Sequence, residues 1–394
     1  MASEVMQKAL EVQDYVIKIR RWLHQNPELG MEEVETTALV KRELESMGIE
    51  VVPLETKVGV LGILKGEKEG SETVTAIRAD MDALPIQEQT GLPYASRKDG
   101  IMHACGHDGH TAVLLGVAKL LSSFRDRFSG TVKFIFQPGE EVLVGAKSMV
   151  AAGVLENPKP DTVVALHCWP YVEVGKIGVW PGPYMASADK FTVKITGSGG
   201  HGAYPHKAKD SLLAAAHAVV ALQSIVSRQI DALDKVVVSV CTFHAGKAFN
   251  VIPEEVTFGG TVRCHDQEVR KAIPDKMEQV LQGVAASFGV RAELDYVWGL
   301  PATVNEPEVI ELITKAADEV LGEGCVEQLD RPAMSSEDFS IYLEKIPYGA
   351  FFRLGNTNPE EEPIHAHNDH FNFNDQAIPV GVAVLTQFVL NKNQ

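Results

Sequence analysis

His103, Cys105, His107 and His110 fall within eight residues, in the run His-Ala-Cys-Gly-His-Asp-Gly-His. Thiolate and imidazole together suit zinc-like ions. The Cys105-x-His107 spacing lets both side chains reach one ion, or a close pair, from a loop. A loop is expected because Gly106 interrupts the run and a helix is expected only from about Thr111 to Phe124. Taken alone, the tract also fits a buried cysteine beside surface histidines. Its companions argue otherwise. An expected strand over 73–78 runs into Asp80 and Asp82, one over 131–136 runs into Glu140 and Glu141, and one over 162–166 ends at His167. In an open α/β sheet, ligands bind beyond the carboxyl ends of the strands. Each acid alone has an ordinary explanation as a turn former, cap or solvated group. Three strands delivering such groups beside a Cys/His tract point to a metal centre.

Adjacent glutamates admit a division of labour, one binding metal while the other handles protons. A metal lowers the pKa of a bound water to about 7, and a carboxylate in reach can take its proton and pass it to a leaving amine. That chemistry is metal-assisted hydrolysis. Neither a serine-nucleophile elbow nor a phosphate-cradling Gly-rich loop competes with it.

The elements that must position these groups follow from periodicity. Helices are expected over 5–24 and 36–47, with strands over 58–64, 73–78, 131–136 and 162–166. Strands alternating with helices imply an α/β layer with a mostly parallel sheet flanked by helices. Past Gly182-Pro183 the texture changes to alternating strands, and the order strand 190–195, helix 211–230, strands 236–242 and 256–262, helix 267–288, strand 291–297 is that of a ferredoxin-like α+β unit. Helices resume over 306–321 and 376–390. The expected organisation is a catalytic domain of residues 1–185 and 299–394 interrupted by a second domain of 186–298.

The 394 residues are 45% hydrophobic and carry a net charge of −17, from 36 basic and 53 acidic side chains. This acidity disfavours nucleic acid and anionic membranes as partners but not cations or small anionic substrates. The N-terminus shows no signal-peptide pattern, and the apolar run 211–227 is too short and polar for a membrane span. Five unpatterned cysteines fit a reducing cytoplasm.

Nearly end to end, the sequence resembles the M20 metallopeptidases, in the amidohydrolase branch of aminoacylases, hippurate hydrolases and indoleacetyl-amino acid hydrolases. The resemblance is carried by Arg21–Leu29, Arg78–Pro85, His103–His110, Phe136–Glu141, His167-x-Trp169-Pro170, Gly200–His206, Asn250–Pro253, Ser336–Phe339, and His367 before Phe371-Asn372-Phe373. Gly139 stands where the family often has alanine. The resemblance implies a two-metal site held by Cys105, His107, Glu141, His167 and His367, the thiolate bridging, with zinc or manganese as the metal and cobalt or nickel compatible. It makes Glu140 the general acid/base and Asp82 the orienting carboxylate. Asp80 falls where other M20 branches place a histidine, and it leaves the ligand set. The inserted domain becomes a lid and dimerisation domain in a homodimer or dimer of dimers. His201 would polarise the scissile carbonyl in the neighbouring subunit, while Asn250, Arg263 and His206 would touch substrate. The implied activity is hydrolysis of small N-acyl-amino acids; a dipeptidase or aminopeptidase with the same machinery is the alternative.

Other residues carry plainer expectations. His110 supports the loop or starts the helix, His103 stands behind the ligands, and Cys168 and His217 are core. Spacing alone does not choose among His365, His367 and His370, and Ser335–Asp338 reads equally as a helix cap.

Overall fold

A computed structural model describes residues 3–394. The chain forms two compact units. The first holds the residues up to Gly182 together with Val304–Arg331 and Asp338–Gln394, and the second holds Pro183–Thr303 and Pro332–Glu337. The short 332–337 segment thus belongs with the second unit. A bridge between Met185 and Ala333 and the bond from Ala186 N–H to the Ser335 carbonyl (3.0 Å) hold it there.

The first unit is built on an eight-stranded sheet. Its strand order is Glu50–Val52, Val60–Lys65, Thr131–Gln137, Val74–Asp80, Thr162–Glu173, Gly349–Thr357, Ile177–Val179 and Val326–Gln328. The central neighbours run parallel, and antiparallel pairs lie toward the edges and at Gly349–Thr357 with Ile177–Val179. Val74–Asp80 and Thr131–Gln137 are buried at every position, as strands covered on both faces must be. Helices Glu4–Gln25, His107–Ser123 and Ala377–Lys392 share the core through Val16, Leu23, Leu114, Val117, Val382 and Phe388. The Ser3 side chain caps the first helix by accepting the Met6 N–H at 3.1 Å.

Two differences from expectation bear on the site. The helix expected from Thr111 begins at His107, so His107 and His110 stand on its first turn rather than in a loop. The strand expected to stop at Leu166 continues to Glu173, which puts His167 inside it.

The second unit is the β-α-β-β-α-β arrangement. Its antiparallel sheet has the order Val236–Ala245, Glu255–Cys264, Ala188–Thr196, Arg291–Leu300. Helices Ser211–Ser224 and Gln267–Phe288 pack with it through Ala214, Ala218, Leu222, Met277 and Leu281. Asp210 caps the first of these, accepting the Leu213 N–H at 2.9 Å. The helical run Ser211–Gln229 is long and apolar enough to pass a length-and-composition test for a membrane span, but its small buried residues face this sheet. His217 is exposed on that helix beside Phe288, contrary to the expected core position; the alanines at 214, 215 and 218 take the buried stripe instead.

Candidate metal centre

The polar ends of the central strands and the first turn of helix His107–Ser123 converge. That helix starts from Gly106 at φ +85°, a left-handed conformation suited to glycine. A Cβ there would stand 2.4 Å from the Cys168 sulfur.

Hydrogen bonds settle which imidazole nitrogens are free. His167 Nδ1 lies 2.7 Å from the Cys168 carbonyl and must donate to it, so Nε2 carries the lone pair, 3.3 Å from Cys105 Sγ. His107 Nδ1 lies 3.1 Å from Asp82 Oδ1, and its buried Nε2 has no hydrogen-bond partner. His110 has both nitrogens engaged: Nε2 accepts the Cys168 N–H at 2.8 Å, so Nδ1 donates to Asp80 Oδ1 at 2.6 Å. His110 therefore has no lone pair to offer, in line with its expected supporting role. Asp80 is likewise engaged, receiving Arg78 Nη1 at 2.5 Å as well as His110.

Glu141 closes the opposite side. Its N–H donates to Asp82 Oδ2 at 2.9 Å, and its Oε1 lies 3.1 Å from His367 Nε2 and 4.0 Å from His107 Nε2. Among the three histidines of the last loop, His367 makes this approach. His365 meets Tyr171 and His370 meets Asp369. His367 adopts φ +66°, a strained conformation for a residue with a Cβ, and its N–H donates to the Ala104 carbonyl at 2.7 Å. Donor atoms of Cys105, His107 and His167 lie within 4.8 Å of one another, as do those of Cys105, Glu141 and His367, and those of His107, Glu140 and Glu141.

The donor set fits metal ions. His107 Nε2 is buried without a hydrogen bond, an arrangement that costs free energy unless a cation takes the lone pair. Burial, reinforced by Glu141, pushes the Cys105 thiol well above its ordinary pKa, so its thiolate needs a neighbouring cation. Burial, with His110 and Arg353, holds His167 well below its usual pKa and keeps it neutral. For Asp80, burial is outweighed by His107, Arg78 and His110, which keep it ionised. Overlapping trios sharing Cys105 and His107 offer places for two ions.

A model of the peptidase family M20/M25/M40 matches residues 76–391. The chain belongs to that family. It is 43% identical over 366 residues to an N-acetylcysteine deacetylase of Bacillus subtilis, covering 93% of each chain. It is 42% identical over 369 residues to a hippurate hydrolase of Campylobacter jejuni, covering 94% of each. Among solved structures, a Bacillus subtilis protein described as a dinuclear metal-binding peptidase from the M20 family superposes with TM-score 0.84 at 38% identity, covering 97% of this chain and 98% of that one.

The remaining residues of the M20 pattern sort by unit. Glu140 and Asp82 are buried beside the clustered donors. In the second unit, His201 lies on a two-stranded ribbon opposite Val251, where Gly202 N–H donates to the Asn250 carbonyl at 2.8 Å. His201, His206 and Asn250 are exposed, and Arg263 Nη1 donates to Ser336 Oγ at 2.9 Å. Cys168 is buried, and His103 is buried with neither ring nitrogen hydrogen-bonded.

Two supports were not singled out from the sequence. Asp338 is no side-chain cap for helix Ser340–Lys345, which has none. It instead accepts from Arg78 Nη2 at 2.8 Å, Gln137 Nε2 at 2.9 Å and Ala146 N–H at 2.9 Å, gathering two central strands. Glu33 accepts the Gly139 N–H at 2.8 Å, one residue before Glu140. The signal for Asp338 was its place in the quoted Ser336–Phe339 motif; Glu33 sits in a Glu-rich stretch that resembles solvated surface.

Proposed function

We propose that this chain is a two-metal amidohydrolase that splits N-acyl-amino acids into a carboxylic acid and a free amino acid. The observation that carries this reading is the convergence of Cys105, His107, Glu141, His167 and His367, with the buried His107 Nε2 left unpaired, beside a second glutamate. Relatives named as a deacetylase of N-acetylcysteine and as a hippurate hydrolase support the same bond type.

Those five residues would hold the ions, Cys105 belonging to two of the donor groups. Bound there, the ions supply Lewis acidity to the scissile carbonyl and a nucleophile at neutral pH. The thiolate favours zinc, while the carboxylate admits manganese, cobalt or nickel. Asp82 holds the His107 ring and the Glu141 backbone in place. Glu140 takes the proton of the attacking water and delivers it to the leaving amine. His201 of a second copy donates to the carbonyl oxygen as charge develops. Arg263 and Asn250 read the amino acid's carboxylate and amide, and His206 flanks them.

A homodimer, or a dimer of dimers, fits the exposed apolar side chains of the second unit, with Leu213 at 47%, Val220 at 73% and Phe243 at 43% exposure. All five cysteines are free, in keeping with the cytoplasm.

The test is a substrate panel on protein loaded with zinc or manganese. Turnover of N-acyl-amino acids, with dipeptides bearing a free ammonium poor substrates, is the expected result. Exclusive turnover of free-amino dipeptides would replace this reading with a peptidase.

A further inference from the structure

Strand Thr162–Glu173 does more than deliver His167. Alternate residues of a strand share a face, so His167 and Trp169 lie in one row; the register with Gly349–Thr357 shifts between Trp169 and Glu173, and Tyr171 joins the row through its ring contact with Trp169. Arg353 stands opposite His167 in the parallel register, and its guanidinium carbon lies 4.3 Å from the centre of the Trp169 ring. The Trp169 and Tyr171 rings are 5.5 Å apart at 58°. Tyr171 and His365 follow at 5.3 Å and 59°, with the Tyr171 hydroxyl hydrogen-bonded to the His365 ring.

This row is attached to the candidate metal centre at both ends. Trp169 follows His167 by two residues, and His365 precedes His367 by two. Its surface is open: Tyr171 is 50% and Ile364 43% exposed, and Trp169 is partly exposed. Isolated exposed aromatics need no explanation, but a continuous run of three rings that starts two residues from a candidate metal ligand does.

The geometry points to Trp169, Tyr171 and His365 as the acyl subsite, a platform that selects flat aromatic or arylalkyl acyl groups. This rests on the amidohydrolase reading and names its substrate class. Two strand residues span about 7 Å, so the platform starts about one ring's length from His167. An aryl group on the scissile carbonyl reaches it and finds offset or edge-on partners. An acetyl methyl does not extend that far. Arg353 beneath Trp169 fixes the indole by a cation–π contact.

The experiment compares N-acetyl, N-benzoyl and N-phenylacetyl derivatives of one amino acid, using wild type, Trp169→Ala, Tyr171→Ala and Tyr171→Phe. Calorimetric titration with phenylacetate and acetate accompanies the kinetics. Wild type should prefer the aryl substrates, and each alanine variant should lower the aryl-to-acetyl ratio of kcat/KM by at least ~10-fold, the scale of one hydrophobic pocket contact. Tyr171→Phe, which keeps the ring, should keep the preference. Phenylacetate should bind more tightly than acetate, and Tyr171→Ala should erase the difference. If wild type hydrolysed no N-acyl-amino acid, the hydrolase reading would fall, and the titration alone would decide the platform. Equal losses on aryl and acetyl substrates, or Tyr171→Phe as damaging as Tyr171→Ala with metal lost in both, would overturn the proposal. The row would then be a tether for the His367 loop.

Discussion

Asp82 Oδ1 lies 3.1 Å from His107 Nδ1, and the other oxygen of the same carboxylate accepts the Glu141 N–H at 2.9 Å. One buried side chain thereby fixes the tautomer of one candidate ligand and the backbone of another. Partners of this kind typically govern 10–100-fold in metal affinity. Asp82→Ala should weaken metal binding by about that factor, read by competition with a chromophoric chelator. Unchanged affinity would make Asp82 a bystander.

The glutamate pair divides the work. Glu140→Gln should retain metal and lose turnover by ~10²–10⁴-fold, the usual share of proton shuttling. Glu141→Gln should also lower metal occupancy, because its Oε1 faces His107 and His367. Parallel metal analysis and kinetics check this, and exchanged phenotypes would reverse the assignment.

Glu33 gives the metal-free protein a pH signature. Burial, with Asp82 nearby, pushes its carboxyl up to about 7 from 4.5. Between those values the folded state keeps a proton that the unfolded chain has released. The stabilisation is therefore full below pH 4.5 and is lost as pH rises through 7. A shift of that size corresponds to something on the order of 3 kcal/mol. Glu33→Gln can still accept the Gly139 N–H without ionising. Its stability relative to wild type, from urea unfolding, should rise as pH goes from 5 to 8; a constant difference would refute the buried-acid reading.

His201 is tested by complementation. His201→Ala should keep metal and lose ~10²–10³-fold in turnover, as loss of one oxyanion donor does. Mixing it with Glu140→Gln protein should restore activity if the histidine serves a second copy. Mixtures that stay inactive despite proven heterodimers would place its role within its own chain or nowhere.

Much of the site was legible because its donors are rare residue types at tight spacing. What the sequence hid follows from context. Helix His107–Ser123 starts a turn early because left-handed Gly106 acts as its cap, whereas a glycine beside histidines resembles a loop. Strand Thr162–Glu173 runs on through Pro170 because Val74–Asp80 pairs with it only as far as Ala165, leaving that side without a ladder partner. Strand Gly349–Thr357 escaped notice altogether, although it lies inside the sheet. Its run is broken by Arg353, a charge buried at 2% exposure that only tertiary neighbours such as Trp169 explain. His217 looked like core because its helix is apolar all round, and only packing chose which stripe faces the sheet.

The central claim is a two-ion site built around Cys105. It is tested most directly by elemental analysis of protein loaded with zinc or manganese and then dialysed, comparing wild type with Cys105→Ala. Two ions per chain in wild type, with occupancy and hydrolysis of N-acyl-amino acids falling together in the variant, is the predicted result. Full occupancy and full rate in Cys105→Ala would contradict it.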